Sequence, residues 1–576
     1  MAKIAIERNV EMKTRDGCAL RSDVYRPDDD ERHPVLLART PYGKETQNAM
    51  SQIISLYAAV AVGYVMVIQD VRGTGSSDGD GFFPHRDEGA DGYDAIEWSA
   101  ALPWSNGEVG VLGLSYLAGT AWQAAAEAPP SLRAIVGIQG ARNFYDIWWR
   151  GGALRITDLV GWTLRNSVHR AATRTGSSTF EIQDLVDALD DIDSCVRHTP
   201  MTSFPLAQHE NPDFVPFFQT LEHPAPDEWT RSIMLCDGLN KVRVPALVVA
   251  GWHDRLLSSD LRLYSEMRRD AATAVARDHT RLIVGPWSHG DMASRLGEVD
   301  FGYRAAGATI DLTESLIGLQ FKWFDRWLRG TDSETFETPR VWLFVQGANL
   351  WRHFEDWPVP GATPTTWYLG PGGRLGSVAP PSECPPDTYF YDPSDPCPTR
   401  GGASLLLPAR YPIGPVDQLP VLQRRDVVSF TSEPLDIDLE VIGTPIVTVY
   451  ASTSAPDTDW VVKLCDVHPD GRSVSVTDGV LRARYRRGLH TPALVQPGAV
   501  ERYNIELDPT AMMFRSGHRL QVIITSSDFP RYDRNPNTGE ISVDSKEFTP
   551  ALQQIFHDAS HPSKLVLPII GSKSLH

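Results

Sequence analysis

The chain has 576 residues, with 54 lysines and arginines against 73 aspartates and glutamates, a formal charge of −19. That length exceeds what one hydrophobic core organises and implies two or three domains. The 42% hydrophobic and 22% charged content is that of a soluble globular protein. The acidic balance without a dominant basic patch excludes nucleic acid as a partner, and no apolar stretch nears the ~18 residues of a membrane span.

Met1 to Arg8 lacks the apolar core of a signal peptide, and the six cysteines are dispersed with no C-x-x-C spacing. Reduced thiols in a cytoplasmic protein are expected. Cys384 and Cys397 are the one pair near enough in sequence to bridge, and the sequence leaves their state open.

From about Val35 to Gly140 apolar runs alternate with helical stretches, the α/β pattern. Tyr93, Ile96 and Glu97, with Ala95 and Trp98, predict a helix on the sheet. The run Gly110-Val111-Leu112 predicts a strand. Gly113-Leu114-Ser115-Tyr116-Leu117-Ala118-Gly119 follows, then a helical Thr120 to Ala126. Strand, sharp turn with serine, helix is the geometry of a nucleophile elbow, although Leu117 stands where G-x-S-x-G has its second glycine. An ordinary strand-to-helix turn has the same local pattern. Ala134 to Ile138 predicts the next strand.

A serine hydroxyl needs a base, and the base an orienting carboxylate. Val242 to Gly251 reads as a buried strand delivering Trp252-His253-Asp254-Arg255, and Arg281 to Gly285 as another opening into Pro286-Trp287-Ser288-His289. Ser115, Asp254 and His289 thus stand in the α/β-hydrolase order, each at a strand's C-terminal end. His253 competes with His289 for the base. No H-E-x-x-H or Cys/His cluster is present, so no metal is expected. The loop Arg72 to Gly79 lacks G-x-G-x-x-G spacing and no G-K-[ST] occurs, so no nucleotide cofactor is expected.

Between Phe144 and Asn240 strand signals vanish and helical segments such as Asp184 to Leu189 take over. Leu316 to Leu328 predicts a helix ending at Gly330. Beyond about Arg352 the composition shifts to Pro, Gly and Thr with period-two apolar residues: Val447 and Val449, then Leu520, Val522 and Ile524. These predict a β-sandwich or jelly roll. Arg482, Arg484 and Arg486 read as one solvated strand face.

These segments resemble the CocE/NonD family of α/β-hydrolases, typified by cocaine esterase and related to X-prolyl dipeptidyl peptidases and α-amino acid ester hydrolases. The resemblance spans nearly the whole chain. It is carried by Asp16 to Pro27, Thr40-Pro41-Tyr42-Gly43-Lys44, Gln69 to Gly79, the serine segment (G-x-S-Y-x-G with Ala118 last), Gly251-Trp252-His253-Asp254, Gly285 to His289, and Asp457-Thr458-Asp459-Trp460. It implies an α/β-hydrolase domain over 1–144 and 241–350, an inserted helical cap over 145–240 and a C-terminal β jelly-roll domain over 351–576. It implies an oxyanion hole made by the Tyr42 phenol and the Tyr116 backbone N–H.

Trp162 resembles a pocket tryptophan of the family, and Trp149, with Trp148, is a further lining candidate. Leu256 and Leu257 suggest an apolar wall in place of the acidic cluster with which α-amino acid ester hydrolases hold an ammonium. The expected reaction is hydrolysis of a small-molecule carboxylic ester through an acyl-enzyme. Amide hydrolysis and acyl transfer use the same groups, and a non-catalytic binding protein is the rival class. The sequence leaves homo-oligomerisation open.

Overall fold

The computed structural model describes residues 3–45, 54–173, 179–207, 213–233, 238–331, 334–337, 339–405 and 411–571. Ten strands build the first sheet: β1 (Ile4–Lys13), β2 (Ala19–Pro27), β3 (His33–Thr40), β4 (Val65–Asp70), β5 (Ser105–Leu114), β6 (Leu132–Ile138), β7 (Ala246–His253), β8 (Arg281–Ser288), β9 (Val341–Val345) and β10 (Leu350–Phe354). Their spatial order is β1-β2-β4-β3-β5-β6-β7-β8-β9-β10. Neighbours from β4 to β9 run parallel, and the pairs at both edges are antiparallel.

Parallel strands are covered on both faces, so they read as continuous apolar runs. Every residue of β4 and of β7 is buried. Alternate side chains divide between two cores: Val65 and Val67 face one, Met66 and Ile68 the other. Helices α1 (Glu88–Ala101) and α2 (Tyr116–Ala126) close the first core, with α4 (Leu257–Asp270) after α3 (Ile156–Thr173) of the insertion. Helix α5 (Leu316–Arg329) closes the second through Leu319, Trp323 and Phe324. It stops where expected, at Gly330 in the left-handed region with φ +69°.

The insertion between β6 and β7 is helical, as expected. Its core joins Trp148, Leu159 and Leu164 to Phe217 and Phe218, and reaches Phe529 and Val543 of the C-terminal region. That region is strand-rich and mostly antiparallel, a β-sandwich around Val447, Val449, Leu520, Val522 and Ile524. The boundary expected at 350 cuts at the head of β10, whose antiparallel pairing with β9 keeps Leu350 to Phe354 in the first sheet.

The expected solvated face at Arg482, Arg484 and Arg486 is corrected. The strand ends at Arg482 and a 3-10 turn follows over Ala483–Tyr485. Each guanidinium meets carboxylates instead: Arg482 with Asp459 and Asp533, Arg484 with Asp457, Arg486 with Glu501. Cys384 and Cys397 are both free thiols, whereas Cys236 lies outside the described residues. No described helix is long and apolar enough to cross a membrane.

Candidate active site

Strand β5 delivers Ser115 to the C-terminal edge of the sheet, and α2 begins at the next residue. Ser115 has φ 61° and ψ −119°, a conformation costing a non-glycine residue about 1–3 kcal/mol. The tight turn explains Gly113, where an added Cβ would stand 2.2 Å from the Leu117 backbone carbon. It also explains how Ala118 replaces the family glycine. Gly140 lies opposite, and a Cβ there would sit 2.9 Å from the Ala118 methyl, so Gly140 leaves room for that methyl.

His289 follows β8 and Asp254 follows β7. The His289 Nε2 lies 2.8 Å from the Ser115 Oγ, and its Nδ1 lies 3.1 and 3.0 Å from the two Asp254 carboxylate oxygens. With Nδ1–H donating to Asp254, Nε2 presents its lone pair to the Ser115 hydroxyl. Asp254 is itself fixed by the Leu256 N–H, which donates to its Oδ1 at 2.7 Å. The three groups predicted from separate strand ends therefore form one relay.

His253 does not enter it. The ring is buried, lies 2.7 Å by Nε2 from the Gln346 Oε1, and is pushed down to about 4 by burial. It is neutral near pH 7 and occupied away from Ser115, so of the two histidines it is His289 that contacts the serine.

The Trp162 indole N–H donates to the Tyr42 phenol oxygen at 3.3 Å. Burial raises the Tyr42 pKa, keeping the phenol protonated as a donor. Tyr42 also packs edge-on to Tyr116, with centroids 6.2 Å apart. Tyr116 opens α2, so its N–H has no intrahelical acceptor. Its own phenol is tied down elsewhere: it donates to Glu88 at 2.8 Å and accepts the His85 N–H at 3.0 Å. The His85 ring stacks on it at 4.0 Å, and burial pushes that imidazole to about 4, so it is uncharged.

A narrow pocket opens at Ser115. Its walls include Tyr42, Phe144, Trp148, Trp162, Arg255 and Leu256. Two expected lining residues lie elsewhere. Trp149 heads a two-residue strand that turns its ring onto Tyr145 at 6.4 Å, beside a separate cavity of about 600 Å³ among the helical insertion, α4 and the β-sandwich. Leu257 begins α4 and points into the core under the sheet. Trp148 takes the wall position expected of Trp149, and Leu256 that expected of both leucines.

Sequence reading missed Gln139 and Arg255. Gln139, immediately after β6, donates from Nε2 to the Ser288 carbonyl at 2.8 Å and accepts the Gly290 N–H at 2.7 Å, clamping the chain on both sides of His289. Nothing in its local sequence signals this, because its partners lie about 150 positions away. Arg255 was legible only as the residue after the aspartate. It is buried, faces Asp158 at 3.6 Å and lies over the Trp148 ring at 5.7 Å.

The chain matches the sequence model of the X-Pro dipeptidyl-peptidase (S15 family) over residues 16–291. Residues 334–566 match that of the X-Pro dipeptidyl-peptidase C-terminal non-catalytic domain. It is 37% identical to the cocaine esterase of Rhodococcus sp. (strain MB1 Bresler), over 98% of this chain and 99% of that one. Among solved structures, an aminopeptidase from the marine sediment archaeon Thaumarchaeota archaeon is similar with a TM-score of 0.82 at 26% identity, over 98% of this chain and 97% of its own. An α-amino acid ester hydrolase shares the fold with a TM-score of 0.77 at 24% identity, over 99% of this chain and 97% of its own. The chain belongs to the cocaine-esterase-like CocE/NonD family of α/β-hydrolases and is an esterase.

Proposed function

We propose that this esterase cleaves small-molecule carboxylic esters with an apolar, uncharged acyl group, through an acyl-enzyme on Ser115. The observation that carries this is the Ser115–His289–Asp254 relay opening on a pocket whose wall, among the described residues, holds aromatic and aliphatic side chains, one arginine and no carboxylate. A free α-ammonium group would meet the Arg255 guanidinium there, with no described wall carboxylate to pair it, which disfavours α-amino esters and unblocked peptides. Flat or branched apolar acyl groups fit between Phe144, Trp148, Trp162 and Leu256.

In this reading His289 takes the Ser115 proton as Oγ attacks the carbonyl carbon. The negative charge then gathers on the carbonyl oxygen, toward the Tyr116 N–H and the Tyr42 hydroxyl. Asp254 stabilises the imidazolium, which passes its proton to the leaving alcohol. Water, activated by the same histidine, releases the acid. The described thiols, free and dispersed, support action in a reducing compartment, the cytoplasm.

Mass spectrometry after fluorophosphonate treatment tests the first half. A single adduct on Ser115, lost in Ser115→Ala, is expected; an unlabelled folded protein would overturn the acyl-enzyme. Comparing nitrophenyl benzoate and butyrate with nitrophenyl esters of unblocked amino acids tests the second half. A higher kcat/KM for the α-amino esters would overturn the uncharged-acyl reading while leaving the relay intact.

A further inference from the structure

The β-sandwich carries a cluster that the ester chemistry does not use. Strand β11 (Asp459–Val467) pairs antiparallel with β12 (Arg519–Thr525), Asp466 opposite Leu520 and Val467 opposite Arg519. One step further along that register, just past the strand ends, His468 stands opposite His518. Directly opposed residues hold their Cβ atoms about 5 Å apart, and residues two apart on a strand share a face. The register therefore sets two imidazoles and the Asp466 carboxylate on one face at the end of the sheet.

The side chains use that placement. The His518 Nδ1 lies 2.9 Å from the Asp466 Oδ1, and the His468 Nε2 lies 3.5 Å from the Asp466 Oδ2. The two rings are 4.6 Å apart between centroids, and one ligand atom from each residue falls within 4.8 Å of the other two. Around a tetrahedral ion with bonds of about 2.0–2.1 Å, neighbouring ligand atoms stand about 3.3 Å apart. Both histidine–carboxylate distances lie within half an ångström of that separation.

Both turns are held by backbone hydrogen bonds. The His468 N–H donates to Arg472 O at 2.9 Å and its carbonyl accepts from Gly471 at 2.9 Å. The His518 N–H donates to Arg515 O at 3.0 Å and its carbonyl accepts from Leu435 at 2.8 Å. The Asp466 side chain is 5% exposed against 29% for His468, so the carboxylate forms the floor and His468 the rim that an ion would pass.

We propose that Asp466, His468 and His518 form a binding site for a borderline divalent transition-metal ion such as Zn²⁺ or Co²⁺. Two imidazoles with one carboxylate suit those ions and not Ca²⁺ or Mg²⁺, which take oxygen ligands. Three protein ligands leave the fourth position to water. The bound ion would tie the turn after β11 to the turn before β12.

The test uses full-length, tag-free protein freed of metal by a chelator and titrated with CoCl₂, then ZnCl₂. The visible absorption of four-coordinate Co²⁺ is expected to saturate at one equivalent and to be displaced by Zn²⁺. His468→Ala and His518→Gln should each weaken binding at least about tenfold. Zn²⁺ should raise the melting temperature of the wild type by more than that of either variant. Activity of metal-free wild type and both variants toward a nitrophenyl ester should be equal, which shows that they are folded. Absence of saturable Co²⁺ binding, or equal binding in the wild type and both variants, would overturn the proposal.

Discussion

Trp162 holds the Tyr42 phenol by donating its indole N–H to the phenol oxygen at 3.3 Å. That contact fixes the phenol oxygen at the wall of the Ser115 pocket. Tyr42→Phe is expected to lower kcat by about 10²–10³ with little change in KM. Trp162→Phe keeps an aromatic ring, though a smaller one, but loses the hydrogen bond, worth ~1 kcal/mol, and should lower kcat about fivefold. Steady-state kinetics on one nitrophenyl ester checks both; a larger loss in Trp162→Phe than in Tyr42→Phe would refute the ordering.

Gln139 grips the peptide before His289 and the one after it. Gln139→Ala removes both contacts without touching the acyl pocket. The expected result is a kcat lower by about 10- to 100-fold with KM unchanged, since small misplacement of a base is costly. A changed KM with unchanged kcat would show that the clamp positions something other than His289.

The buried His253 sits near 4, below its ordinary 6.5. Between those two values the unfolded chain holds a proton that the native protein refuses. Stability is therefore complete above pH 6.5 and drains away as the pH falls toward 4, by up to about 3 kcal/mol for this residue. His85 behaves in the same way. His253→Gln, which retains a partner for Gln346, should flatten the decline by about one proton's worth. Urea unfolding at pH 7, 6 and 5 for both proteins measures it; parallel declines would contradict a depressed His253.

Arg482 is buried between Asp459 at 2.8 Å and Asp533 at 2.9 Å. Removing it strands two carboxylates out of water, and Arg482→Ala should cost about 3–5 kcal/mol. The exposed Arg487, 4.0 Å from Glu501, provides the contrast: Arg487→Ala should fall within about 0.5 kcal/mol of wild type. Denaturant midpoints distinguish the two, and equal effects would mean that the buried network contributes nothing.

Much of the sheet was legible because burial on both faces writes parallel strands as apolar runs, as at Ala246–His253 and Arg281–Ser288. The helix ending at Gly330 was legible because its cap needs a left-handed residue. Arg482 to Arg486 misled because alternation alone carries no information about where a strand ends. The Trp148 and Trp149 pair misled because a helix ends at Trp148 and a strand begins at Trp149, turning the two rings apart, and local sequence does not say which way the pocket lies.

The order of Ser115, Asp254 and His289, and their places at strand ends, belong to the sequence, since strand patterns and chain order are local properties. What only the folded chain decided is contact between residues far apart. The choice of His289 over His253 rests on Gln346 and on burial. The Gln139 clamp spans 149 and 151 positions, and the facing of His468 and His518 depends on the register of two strands. The physical reason is the same in each case. Hydrogen bonds and dielectric surroundings act over a few ångströms in space, and no local pattern records which distant segments the packing of the cores brings that close.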